Sequence, residues 1–171
     1  TSDEDFPFID YDGKTLYFAG ARAGSKGMDI FFTQMKNDGK WTKTKRIPSP
    51  LNTDGNEKSP FIHTDSQTLY FSSDGQPGLG GYDIFFTRMD SSGAWETPVN
   101  LGYPINTVND EVGFFVSTDG KSGYFASNDL KEKGIGGYDI FSFPLYEKVR
   151  PQKVLFLKGE IKDESGDPLA N

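Results

Sequence analysis

The sequence predicts an all-β fold built of β-propeller blades. Three observations carry this. A pattern of near fifty-four residues occurs three times. Each copy is cut by Gly and Asp turn signals into short runs rich in Phe, Tyr, Ile and Thr. No capped amphipathic stretch of useful helical length intervenes. Among the 171 residues there are 20 Gly and 10 Pro, enough to punctuate many turns, and 15 Phe, 8 Tyr and 2 Trp, enough to fill many short strands.

The register of the repeat is fixed at several positions. Glu4, Glu57 and Glu111 open the copies, 53 and 54 residues apart. Each is followed by a first strand, expected around Phe8–Tyr11, Phe61–Thr64 and Phe114–Ser117. A turn follows at Asp12-Gly13, Asp65-Ser66 and Asp119-Gly120, where Asp bonds its own backbone and Gly tolerates positive φ. The second strand reads TLYFA, TLYFS or SGYFA, and a Gly-rich loop comes next. The third strand starts at Asp29, Asp83 or Asp139 and reads DIFFTQM, DIFFTRM or DIFSF. Trp41 and Trp95 mark a fourth strand in the first two copies, each followed by a Pro-rich link through Asn52-Thr53 or Asn106-Thr107. The third copy has no Trp, so its fourth strand is expected to be degenerate or supplied from elsewhere. TLYF and DIFF are apolar on both faces, as strands sandwiched between neighbours must be. Four strands per repeat give blades, and three copies fall short of the roughly four to eight that close a ring. Thr1–Glu4 aligns with the end of a link, so a larger propeller with a blade upstream is expected, this chain being mature, trimmed or excised.

Charge and composition exclude several function classes. Acidic residues number 25 against 18 basic ones, a formal net charge of −7, which disfavours nucleic acid and anionic membranes as partners. The chain has no Cys and 1 His, which leaves no disulfide framework, thiol nucleophile or His-rich metal centre. No apolar run approaches the roughly 18 residues of a membrane helix, and the first residues lack the pattern of a signal peptide.

The pattern Glu-x-x-Pro-Phe-Ile, then Asp-Gly-Lys-x-Leu-Tyr-Phe, then Gly-Gly-Tyr-Asp-Ile-Phe resembles the WD-like propeller repeats related to those of TolB, as found in OmpA-family periplasmic proteins of Bacteroidota. The match runs from about residue 4 to 146, in repeats near 4–56, 57–110 and 111–146. The second copy fits best, with Ser59-Pro60-Phe61-Ile62 and Gly80-Gly81-Tyr82-Asp83-Ile84-Phe85. The first departs at Met28, and the third lacks the Pro before Phe114. Residues 147–171 form a linker and then resemble the first strand of a carboxypeptidase-regulatory-like module, through Gly159, Ile161, Asp163, Gly166, Pro168 and Leu169. In that family an OmpA-like peptidoglycan-binding domain follows, and one arrangement of this kind is similar to the PorE-type subunit of the type IX secretion system. The resemblance implies a periplasmic, outer-membrane-associated scaffold whose partners are other envelope proteins. Contact with peptidoglycan would run through a C-terminal domain outside this chain.

The recurring residues read as structure before chemistry. Asp29, Asp83 and Asp139 at strand starts suit acceptors for loop amides, the alternative being three carboxylates around a site. Asp12, Asp65 and Asp119 read as turn formers. Glu4, Glu57 and Glu111 suit carboxylates that tie a link to the next blade, because general acid–base pairs need dissimilar environments and repetition gives similar ones. The loops at 74–82 and 129–138 are Gly-rich but precede no helix, so a phosphate cradle is not expected. Asp10, Asp12 and these loops offer oxygens for calcium without the EF-hand order. His63 aligns with Asp10 and Ser117, which suggests an exposed rim position. Lys36, Lys40, Lys43, Lys45 and Arg46 suit a solvated outer hairpin. Trp41 and Trp95 are expected between blades. No catalytic residue, cofactor or metal is assigned. The expected function is a non-enzymatic docking scaffold of the envelope. The alternative is a propeller that binds glycan or a small ligand, or is accessory to an enzyme.

Overall fold

The structure, a computed structural model, describes residues 3–128 and 137–155. Among the described residues there are eleven β-strands and one short 3-10 helix. The first antiparallel sheet has the order β1 (Glu4–Ile9), β2 (Thr15–Gly20), β3 (Asp29–Gln34), β4 (Lys45–Arg46). The second repeats it with β5 (Glu57–Ile62), β6 (Thr68–Ser73), β7 (Asp83–Arg88), β8 (Val99–Asn100). The third holds three described strands, β9 (Glu111–Val116), β10 (Ser122–Ser127) and β11 (Asp139–Pro144). These are propeller blades, each a meander of neighbouring strands.

The strand boundaries differ from the sequence reading at both edges of the blade. Each first strand begins at its Glu, earlier than expected, because a bulge lets the Glu segment pair before the apolar run does. The register of β1 against β2 slips between Asp5 and Phe8, and that of β5 against β6 between Lys58 and Phe61. β9 slips against β10 at the same place. The residue in the left-handed region is Phe6 (φ 52°), Ser59 (φ 52°) or Gly113 (φ 66°). One conformation is thus held by three residue types, and Gly alone adopts it without a Cβ clash. The fourth strand is reduced to two residues, and the Trp lies outside it, in isolated bridges Met35–Trp41 and Met89–Trp95.

Two apolar clusters lie between the blades. The first packs Tyr17 and Ile30 of the first blade and Ile47 and Leu51 of the link against Ile62, Leu69, Phe71 and Phe85 of the second. The second packs Tyr70, Ile84, Phe86, Leu101 and Ile105 against Phe114, Val116 and Phe125 of the third. Each fully buried Leu, Ile or Phe contributes about 1.5–3 kcal/mol, so these interfaces dominate the stability of the array. Every residue of β6 is buried, which accounts for its run of apolar and small residues without alternation.

Two expectations are corrected. His63 is not at an exposed rim: it is 1% exposed, its Nε2 lies 3.3 Å from the Ser117 carbonyl, and its Nδ1 accepts from the Asp65 amide. The equivalent Asp10 is also buried and accepts from Ser66 Oγ at 2.9 Å, so this position joins one blade to the next. Only one of the two Trp rings lies between blades, Trp95 against Tyr17 of the first blade. Trp95 is half-buried, edge-on to Tyr17 at 6.5 Å, and Trp41 is 40% exposed. Residues 129–136 of the third Gly-rich loop and the strand-and-turn expected through Ile161 to Pro168 lie outside the described residues.

Candidate functional site

The recurring acids are distributed over the blade frame rather than gathered at one point. Glu57, fully buried at the start of β5, accepts from the Thr53 amide (2.9 Å), Thr53 Oγ1 (2.7 Å) and Ser73 Oγ (2.7 Å). Glu111 repeats this with the Thr107 amide (2.8 Å), Thr107 Oγ1 (2.8 Å) and Ser127 Oγ (2.9 Å). Burial pushes the Glu57 carboxyl above the usual range, and the three donors only partly offset it. Glu4, where no described link precedes it, pairs with Arg22 at 2.7 Å.

Asp29 and Asp83 are both fully buried at the start of a third strand, yet their partners differ. Asp29 holds the Arg46 guanidinium through two bonds, of 2.6 and 2.7 Å, and this pairing raises the arginine further above its usual value. Arg46 therefore leaves the solvated basic run to which its sequence neighbours belong. Asn100 occupies that place in the second blade. Asp83 Oδ2 accepts from the Leu79 amide and weakly from Asn100 Nδ2 at 3.4 Å, while Oδ1 is buried with no hydrogen-bond partner among the described residues. Asp139 is half-buried at the start of β11.

The turn acids bond chiefly within their own turns. Asp12 accepts from the Lys14 amide, Asp65 from the Gln67 and Thr68 amides and Thr68 Oγ1, and Asp119 from Ser117 Oγ and the Lys121 amide. Asp65 also accepts from the Gln152 amide of the tail at 2.8 Å. Among the described residues, no group of three or more His, Asp or Glu side chains could hold a metal ion.

Sequence reasoning missed a second layer of clasps, although its signal was present as conserved spacing between copies. The Asn52 side chain accepts from the Ile30 amide (2.7 Å) and donates to the Ile30 and Ile47 carbonyls (2.8 and 2.7 Å). Asn106 does the same for Ile84, at 2.8 Å in each direction. Further along the links, Asn56 accepts from the Met28 amide and bonds Asp74, whereas Asp110 accepts from the Tyr82 amide and bonds Asn128. Amide and carboxylate have exchanged places with the pattern of contacts kept. The Tyr82 amide, with help from the Tyr138 hydroxyl, holds Asp110 below the usual carboxylate range.

Two of the cavities among the described residues bear on function. One, of about 430 Å³, lies along the bulged first strands and is apolar, lined by Phe6, Phe8, Pro60, Phe61, Val112 and Phe115. Phe6 and Phe115 are exposed there. Lys58 borders it, its Nζ 3.3 Å from the centroid of Tyr82, and burial lowers the lysine. The other, of about 560 Å³, is polar and lies between the β9–β10 turn and the tail, lined by Asp119, Lys121, Glu147, Arg150 and Lys153.

No protein-family model and no curated protein matches the sequence. Among solved structures, a prolyl endopeptidase aligns over 86% of this chain and 21% of its own, at 16% identity and a TM-score of 0.50. A GH43 endo-arabinanase from Bacillus licheniformis aligns over 98% of this chain and 56% of its own, at 20% identity and a TM-score of 0.49. The chain thus spans about a fifth of the first protein and about half of the second. The likeness to the first shows the class of the fold, a β-propeller, here represented by three blades. The three copies of the repeat are those blades in chain order.

Proposed function

We propose that this chain is the propeller portion of a non-catalytic protein–protein interaction scaffold of the bacterial cell envelope. The observation that carries the reading is the division of labour just described. The repeated acids are engaged in clasps within and between blades, while an apolar groove along the bulged strands is left open with Phe6 and Phe115 exposed. A rigid array with an uncovered apolar groove suits docking. The resemblance of the repeats to those of OmpA-family periplasmic proteins supports a periplasmic, outer-membrane-associated place. It also supports envelope proteins as partners, of the kind found around the PorE-type subunit of type IX secretion. Peptidoglycan would be bound by a domain outside this chain.

The test is crosslinking in intact cells with the full-length protein, comparing the unaltered groove with a Phe6→Glu/Phe115→Glu double variant. Loss of specific crosslinked envelope partners, with retained fold by circular dichroism, supports docking through the groove. An unchanged set of partners overturns it. The polar cavity at the tail favours a second reading, a small-ligand or glycan site, and saturable binding of a defined glycan by the isolated protein would replace the first.

A further inference from the structure

Asp29 and Asp83 occupy one place in their blades, opposite Gly20 and Ser73 of the neighbouring strand. Arg46 and Asn100 likewise share a place, opposite Phe31 and Phe85. In the first blade the two residues meet, and the Arg46 guanidinium takes both oxygens of Asp29, at 2.6 and 2.7 Å. Those bonds chiefly, with the charges of Glu57 and Asp54 behind them, raise Arg46 above its usual value. One arginine thus serves two fully buried acids, Asp29 and Glu57.

The second blade keeps the acids and loses the arginine. Asp83 and Glu111 are both fully buried, and among the described residues neither has an ion-pair partner. Glu111 is hydrogen-bonded by Thr107 and Ser127. Asn100 carries no charge, and its Oδ1 is committed to the link, where it accepts from the Gly102 amide and from Asn106 Nδ2, each at 2.7 Å. Its Nδ2 lies 3.4 Å from Asp83 Oδ2. The Leu79 amide closes on the same oxygen, and a Cβ on Gly78 would collide with it, so the Gly-rich loop 74–82 lies directly over the carboxylate. Asp83 Oδ1 has no hydrogen-bond partner among the described residues, and residues 73 to 110, which include the loop and the link around it, are all described.

A buried carboxylate without a countercharge is costly, because it loses its hydration and gains no ion pair in return. We infer that Asp83 Oδ1, beneath loop 74–82, binds a calcium ion that takes the place held by the Arg46 guanidinium in the first blade. Oxygen is the donor that hard cations prefer, and the charge of one calcium balances the two buried acids. Loop 74–82 is the source of the carbonyl oxygens that complete such a shell. The ion is structural, fastening the loop to the start of β7.

The test uses the 171-residue protein, stripped of metal by a chelator and melted at constant ionic strength. Calcium chloride should raise the melting midpoint saturably, by about 2–4 °C at a few times its Kd, and shift the Leu79 amide resonance. Magnesium, which demands a stricter octahedral shell and sheds water reluctantly, should do neither. Asp83→Asn should melt near the parent in chelator and lose the calcium response. Asp29→Asn, its counterpart in the first blade, should keep the response. Asn100→Arg supplies the arginine of the first blade and should abolish the response with an unchanged circular dichroism spectrum. A midpoint that ignores calcium, an equal response to magnesium, or a response that survives in Asp83→Asn or Asn100→Arg overturns the inference. So does its loss in Asp29→Asn, because the effect is then not local to the second blade.

Discussion

The first and second blades carry nearly the same side chains in the same register and bury them differently. Ile62 is 2% exposed and Ile9, its equivalent, is 48% exposed. Trp95 meets Tyr17 of the blade before it, whereas no described ring stacks on Trp41. On the same face of the first blade, Phe18 and Phe31 are covered by Arg22, whose guanidinium carbon lies 5.2 and 5.3 Å from their ring centroids. The repeat motif therefore encodes contact with a neighbouring blade more than contact within one. A residue's contribution follows from its neighbour and not from the motif it belongs to.

Alanine at Ile62 and at Ile9 should separate most widely. Ile62→Ala opens a cavity between two blades and is expected to cost about 2–4 kcal/mol, against under about 1 kcal/mol for Ile9→Ala, both from urea unfolding. Equal losses would break the comparison. For the tryptophans, Trp95→Ala should cost about 2–3 kcal/mol, less than a fully buried ring, and Trp41→Ala under about 1 kcal/mol by the same measurement.

The paired aspartates sharpen the comparison chemically. Asp29→Asn discards one charge of a bidentate ion pair and should destabilise by about 1–2 kcal/mol. Asp83→Asn removes a buried carboxylate that has no arginine beside it, and its effect should stay within about 1 kcal/mol of zero. Thermal melts of the two variants under one buffer distinguish them. The smallest effect concerns the bulge. Gly113→Ser places a Cβ at φ 66° where no other atom lies within 4 Å, so its cost of about 1 kcal/mol isolates backbone strain. Ser59→Gly, at φ 52°, should be neutral or slightly stabilising in the same melts.

Much of this frame was legible in the sequence, because turns and apolar strands are local properties. Asp-Gly turns and the runs TLYF and DIFF depend on residues a few positions apart, and they fall where β2, β3, β6 and β7 lie. What stayed hidden depends on contacts 17 to 54 residues away along the chain. His63 looked like a rim residue because its equivalents are Asp10 and Ser117, both polar. Its burial comes from Ser117 of the next blade, which polarity cannot reveal. The Asn52-Thr53 and Asn106-Thr107 pairs were visible as recurrences. Nothing local says that an Asn will clasp a strand twenty-two residues earlier. Arg46 looked like one more solvated cation for the same reason, since its partner Asp29 lies on another strand.

The placement of Asn52 and Thr53 has a mechanical consequence. Asn52 is fastened to the blade behind and Thr53, through Glu57, to the blade ahead, so one peptide bond bridges the two anchorages. A pull along the chain cannot reel out slack between blades before it loads both clasps. Under tension the array should hold its length and then yield in discrete steps, one per link, with the force set by the few hydrogen bonds at each clasp. The third blade, without a described link of its own, offers no such latch on its far side.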